Sequence, residues 1–181
     1  MRIELTQTMN DLISFYQFHH WYSDERKNFR IKTRLSWGII TAIPFALIIL
    51  NVDSGRVTST FGLVLYGLFF FSLGFIGIKH LALSNWRGVA IKIANDNDNS
   101  EFMGPKTLEF TNDKIAWTSQ WGQGQSVVET IKKVKSDNKY YYLYNTSFSA
   151  YIIPRTVLKT EDEVNEFESI VKNYGQRAKT L

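Results

Sequence analysis

The 181-residue chain predicts an α+β membrane protein: a two-helix transmembrane hairpin, then a small antiparallel sheet or partly closed barrel with a C-terminal helix. Two long uncharged apolar runs between Leu35 and Ile78 supply the hairpin. Short alternating segments broken by turn residues supply the sheet, and a capped amphipathic pattern after Thr160 supplies the closing helix. The mean hydropathy of -0.18 is an average over two opposite halves and hides both features.

At the N-terminus, "RIELT" from Arg2 to Thr6 alternates as a short strand does. The following stretch, Thr8 to Tyr22, places Met9, Leu12, Ile13, Tyr16 and His20 on one helical side. Arg26, Lys27, Arg30, Lys32 and Arg34 then gather before the first apolar run. They are the expected headgroup-binding residues, since a cation near an anionic membrane surface contributes about 1 kcal/mol. The competing expectation is that they only orient the first span.

The spans run over 35–52 and 57–78, each close to the ~20 residues that cross a bilayer as a helix. Their polar residues are mainly Ser, Thr and Asn, which bond to helix backbone, and neither run shows the polar stripe of a surface helix. An apolar helical hairpin inside a soluble core is the alternative. Pro44 is compatible with a membrane helix, and "DSGR" at Asp53–Arg56 reads as the connecting turn. Cations flank the outer ends of both runs, so the positive-inside rule places both termini in the cytoplasm of a multi-pass inner-membrane protein. No cleavable signal peptide is expected, which leaves the first span as the targeting signal.

These features divide the chain into 1–34, a strand and basic amphipathic helix; 35–80, the hairpin; 81–105, a juxtamembrane helix and linker; and 106–181, a cytoplasmic domain. In the linker, Asp96, Asp98 and Ser100 begin a calcium-loop spacing. Glu101 and Thr107 stand where the turn glycine and closing glutamate belong, so a solvated loop is expected and no metal. Six strands follow: Lys106–Thr111, Lys114–Ser119, Gln125–Thr130, Ile131–Ser136, Lys139–Asn145 and Ser149–Pro154. "WGQGQ" at Trp121–Gln125 is expected as a turn, and the four tyrosines Tyr140, Tyr141, Tyr142 and Tyr144 as strand residues divided between two faces. Thr160 and Glu163 form a capping box for a helix with Val164, Phe167, Ile170, Val171 and Tyr174 on its apolar face.

Catalytic chemistry is not expected. Adjacent His19 and His20 diverge on a helix, no serine sits in a nucleophile elbow, and the chain has no cysteine. No catalytic residue, cofactor or metal is therefore assigned. The net charge of +4 is explained by membrane topology and solvated strand faces, so no nucleic-acid partner is expected.

Three patterns resemble the YcxB-like family of bacterial membrane proteins, whose C-terminal domain is related to the pleckstrin-homology barrel: "GPKTLEFTNDKIAWTS", "IKKVKSDNKYYYLYNTSFSAYIIPRTVL" and "TEDEVNEFESIV". "SVVETI" lacks the aromatic residue that the resemblance implies there. The resemblance implies seven strands where six follow the linker, which makes Arg2–Thr6 the candidate seventh. With the two spans and the lack of catalytic motifs, it leads to the expectation of a non-catalytic, membrane-anchored interaction module. Membrane lipids or an unidentified protein would be its partners, and homo-oligomers are compatible with it. The alternative is an immunity protein that neutralises a membrane-active toxin. For either, the expected partner-binding residues are Trp117, Trp121, Gly122, Gln123 and Gly124, as large aromatics beside a turn; a core position for Trp117 is the competing expectation.

Overall fold

The computed structural model describes residues 1–51, 60–96 and 103–177, which form two compact units. Residues 1–15 and 90–181 make the first unit, and residues 16–89 the second.

Among the described residues the first unit contains seven strands. Strands β1 (Arg2–Gln7), β2 (Gly104–Phe110), β3 (Lys114–Ser119) and β4 (Gly122–Val127) form one antiparallel sheet in that order. Strands β5 (Lys133–Ser136), β6 (Tyr140–Tyr144) and β7 (Ala150–Pro154) form a second. The N-terminal strand thus joins the C-terminal sheet, with Ile3 opposite Leu108 and Leu5 opposite Lys106. Alternation explains the choice: Ile3 and Leu5 are buried while Arg2, Glu4 and Thr6 are exposed, so β1 can cover β2 only with this face inward.

Helix α4 (Glu161–Arg177) covers the core shared by the two sheets. Its start is the expected capping box: the Glu163 N–H donates to Thr160 Oγ1 at 3.2 Å, and the Thr160 N–H donates to Glu163 Oε2 at 3.1 Å. The Lys159 N–H, which donates to Glu163 Oε2 at 2.6 Å, and the Thr160 N–H together hold the Glu163 carboxyl below its ordinary range. Phe167, Val171 and Tyr174 are buried, and the Phe167 ring meets Phe110 and Tyr141 edge-on at 5.3 and 5.0 Å.

Strand β6 is buried on both faces. Tyr141 and Leu143 point into the core beneath α4. On the other face, Tyr142 and Tyr144 pack on Phe15, which belongs to helix α1 (Met9–Gln17). The expected apolar face of that helix requires correction. Met9, Leu12, Ile13, Tyr16 and His20 are half-buried, whereas the buried residues are Asp11 and Phe15, one turn apart. A carboxylate occupies the buried face because Tyr140 donates to Asp11 Oδ1 at 2.9 Å, and Thr8 donates to Oδ2 through its N–H at 2.7 Å and its hydroxyl at 2.8 Å.

Boundaries shift elsewhere in the sheet. Gly122, Gln123 and Gly124 belong to β4 instead of a five-residue turn, leaving only Gln120 and Trp121 to connect β3 to β4. Val128–Thr130 forms a 3-10 turn that ends the expected Gln125–Thr130 strand early.

In the second unit, α1 runs into a single π-helical turn, Phe18–Tyr22, followed by a 3-10 turn and helix α2 (Lys27–Asn51). Helix α3 (Thr60–Ala94) runs on without a break from the apolar run into the expected juxtamembrane helix. Among the described residues one stretch, Val64–Ala94, is long and apolar enough to cross a membrane. The expected turn at Asp53–Arg56 lies outside the described residues. Helices α2 and α3 approach closely in opposite chain directions: Thr41 Oγ1 donates to the Phe70 carbonyl at 2.9 Å, and a Cβ on Gly74 would fall 2.5 Å from the Trp37 carbonyl oxygen. Gly74 is therefore needed by the backbone of α2 itself.

Candidate functional site

The sequence-predicted partner residues lie on the β3–β4 hairpin. Trp117 is half-buried and faces inward, in a cross-strand row with Leu108 and Gly124. Its indole covers Gly124 so closely that a Cβ there would lie 2.7 Å from Trp117 Cζ2. The glycine is thus required by the ring and not by a turn. Trp121 lies in the turn and is 55% exposed. Gln123, Gln125 and Val127 form the exposed face of β4, and Val127 is 52% exposed. Trp121 and Val127 therefore flank a strand surface made of amides.

A second cluster links β6, β7 and α4, and the sequence reading did not find it. Arg155, just after β7, places its guanidinium 4.0 Å from the centre of the Tyr141 ring. It donates to the Tyr141 hydroxyl at 2.7 Å and to the Asp137 carbonyl at 2.9 Å, while Glu168 lies 3.6 Å away. Tyr141 in turn donates to Glu168 at 2.6 Å. Burial, aided by the bond to Glu168, pushes the Tyr141 phenol up to about 12. Burial also raises Tyr142, whose hydroxyl donates to Asp137 at 2.9 Å. These phenols stay protonated and serve as donors: Tyr141 ties β6 to α4, and Tyr142 ties β6 to the turn that follows β5. The signal for this cluster was the "YIIPR" segment, but strand alternation alone does not show which tyrosine an arginine at the end of the neighbouring strand will meet.

The five predicted headgroup-binding cations separate in the second unit. Lys27 and Lys32 are exposed, and Arg26 lies over the Phe29 ring at 5.9 Å. Arg30 turns back to donate to the carbonyls of Trp21 and Ser23, the latter at 2.9 Å. Arg34 is half-buried, 5.8 Å from the Trp21 ring and 5.5 Å from Phe75. Trp21, which is 2% exposed, is the packing anchor that these two arginines share. Only part of the basic segment is therefore presented outward.

In the π-helical turn, His20 stacks on Trp86 with ring centres 3.6 Å apart and planes within 4°. His19 meets His20 edge-on at 4.6 Å. Burial, with contributions from His19 and Arg26, lowers His20 to about 4, so the neutral ring is favoured. The extra residue of the π turn alters the helical phase between Tyr16 and Trp21, which explains why extending one α-helical face through His20 misplaces the buried side.

An open apolar groove of about 460 Å³ runs along α2 and α3, lined by Trp37, Ile40, Pro44, Phe70, Leu73 and Leu81 among others. Among the described residues its lining has no titratable side chain. Among the described residues, no cluster of three or more His, Cys, Asp or Glu residues could hold a metal ion. Of the calcium-loop spacing, Asp98 and Ser100 lie outside the described residues.

Residues 110–171 match the family model of YcxB-like protein. That stretch runs from the end of β2 through most of α4, so it contains the hairpin and the Arg155 cluster. No curated protein and no solved structure matches the chain.

Proposed function

We propose that this chain is a membrane-anchored, non-catalytic interaction module, in which the second unit anchors a pleckstrin-like first unit at the cytoplasmic face of the bacterial inner membrane. The observation that carries the reading is the outward surface of α2 and α3. Ile39, Ile40, Ile43 and Leu47 on α2, with Leu65, Leu68, Phe69, Leu73 and Ile76 on α3, are each at least 50% exposed. Only 11% of the apolar window in α3 is buried within the structure. A soluble monomer rarely leaves so large a contiguous apolar surface in water, whereas hydrocarbon accommodates it. Thr41 and Ser72 donate to backbone carbonyls at 2.9 and 2.8 Å, which satisfies their hydroxyls without water.

The pleckstrin-like part of the reading is supported by the order of four strands, three strands and a closing helix. The module part is supported by the exposed Trp121 and Val127 on the β3–β4 hairpin. Fold likeness alone does not specify a ligand. Lys27 and Lys32 are the headgroup contacts retained in this reading, because Arg30 and Arg34 serve the packing around Trp21.

Extraction of native membranes with alkaline carbonate, followed by flotation, tests the anchor. Retention with floating lipid is expected; release into the soluble fraction would overturn it. The cysteine-free chain permits a topology assay with single Ser54→Cys and Gln123→Cys variants. An impermeant thiol reagent applied to intact spheroplasts should label the first and spare the second.

A further inference from the structure

A sheet that is not closed presents terminal strands, whose unpaired backbone groups invite another strand. In the two sheets of the first unit those strands are β1, β4, β5 and β7. Three of them carry features that oppose such pairing. Strand β1 has Arg2 and Glu4, β5 has Lys133 and Lys135, and β7 ends at Pro154. Strand β4 reads GQGQSV, with no charged residue and no proline.

The hydrogen-bond phase shows which groups β4 directs outward. The Val128 N–H donates to the Asp113 carbonyl at 2.9 Å. In antiparallel pairing, hydrogen-bonded and non-hydrogen-bonded pairs alternate. From that start, Ile115/Ser126, Trp117/Gly124 and Ser119/Gly122 are the bonded pairs of the β3–β4 register. The backbone N–H and carbonyl groups of Gln123, Gln125 and Val127 consequently point away from β3. The Thr130 hydroxyl, which donates to the Val127 carbonyl at 2.7 Å, confirms this direction at one end. Among the described residues no strand pairs with the edge.

We infer that this edge pairs with the β4 edge of a second copy of the chain, in antiparallel register about a two-fold axis at Gly124. This inference deepens the interaction-module reading and rests on it, naming a second copy as the partner of the β3–β4 hairpin. The register follows from self-complementarity. With Gly124 on the axis, Gln123 faces the partner's Gln125, and each such pair exchanges both backbone bonds. Trp121 then faces the partner's Val127, so the two exposed apolar side chains of the hairpin cover each other twice. Centring the axis on Gln125 instead would pair Gln123 with the partner's Val127 and leave Trp121 beyond the contact. Because β4 is uncharged, joining it to its own copy opposes no like charges along the strand. The contact is isologous and closes as a dimer instead of propagating.

The test uses full-length chains carrying two different tags, one with Gln123→Cys and the other with Gln125→Cys, co-expressed and oxidised in native membranes. The chain has no cysteine of its own. A bonded antiparallel pair places Cα atoms about 5.5 Å apart, within the disulfide range. A mixed-tag disulfide at least fivefold stronger than that from a Lys133→Cys and Lys135→Cys pair on β5 is expected. In mild detergent, sedimentation should give twice the chain mass for the unmodified protein. Gln125→Pro and Gln125→Lys should each raise the dimer dissociation constant at least tenfold. The proline removes an N–H directed off the edge and leaves the β3 pairing in place, while the lysine places a charge where β5 has its own. A mixed-tag band no stronger than the β5 control, or a dimer unaffected by both substitutions, would overturn the inference. Failure of the membrane reading would appear separately, as release by carbonate, and would not alter the cross-linking readout.

Discussion

Replacing Leu5 by alanine tests whether β1 is an integral strand of the first unit. Leu5 is 6% exposed and shares the core with Ile3, Leu108 and Phe110. Truncating a buried leucine costs about 2–5 kcal/mol, from lost transfer energy and the cavity left behind. A domain has only about 5–15 kcal/mol in total, so this single change removes a large fraction. With a urea slope of about 1–3 kcal/mol per molar, the unfolding midpoint should fall by about 1–2 M. Pulse proteolysis of the full chain in mild detergent measures this, following survival of the fragment from β2 to α4 across a urea series. Thr6→Ala, on the exposed face of the same strand, should change stability by no more than about 0.5 kcal/mol. Deleting residues 1–7 removes Ile3 and Leu5 together and uncovers the β2 edge, so the sheet should be digested without urea. Equal midpoints for Leu5→Ala and the unmodified chain, or an intact sheet after the deletion, would refute the reasoning.

Tyr140→Phe removes the phenol that donates to buried Asp11 and should cost about 1–3 kcal/mol, with Asp11→Ala/Tyr140→Phe costing less than the sum of the single changes in a double-mutant cycle. Gly74→Val should force α2 and α3 apart, whereas Gly77→Ala, whose added Cβ meets nothing within 4 Å, should be neutral; thermal aggregation in detergent would distinguish them. Gly124→Ala should cost about 1–3 kcal/mol by overpacking against Trp117, and combining it with Trp117→Leu should recover part of that loss in the same proteolysis assay. For His20 the folded state favours the neutral ring, so between the ordinary value of 6.5 and about 4 the unfolded chain binds more protons and stability falls as pH falls. Isotope-labelled His20 should titrate well below 6.5 by NMR, and Trp86→Ala should move it back toward 6.5 by removing part of the burial; an unmoved midpoint would exclude Trp86 as a source of the shift.

The division between what was legible and what was not follows the range of the interactions. The capping box at Thr160 and Glu163 and the apolar face of α4 depend on residues three or four apart, which a linear pattern records. The strand segments were legible for the same reason, although their ends were set by neighbours. Gly124 looked like a turn residue because composition cannot show the Trp117 ring that excludes a Cβ there. The face of α1 was misread because Asp11 is buried by a bond to Tyr140, far along the chain, and because the π turn changes the phase before His20.

The candidate site divides in the same way. Trp121 could be selected as an exposed aromatic beside a turn, but the outward backbone groups of Gln123, Gln125 and Val127 depend on the phase of the β3–β4 ladder. The basic segment was visible as charge, whereas the packing of Arg30 and Arg34 around Trp21 required the chain to turn back on itself. By itself the sequence determined the apolar runs, the strand alternation and the closing helix, because each is a short-range periodicity. Only the tertiary structure decided that β1 joins β2, that a carboxylate is buried beneath the tyrosines, and that β4 has an unguarded edge. Those outcomes depend on which distant residues meet, and local periodicity does not encode the partner.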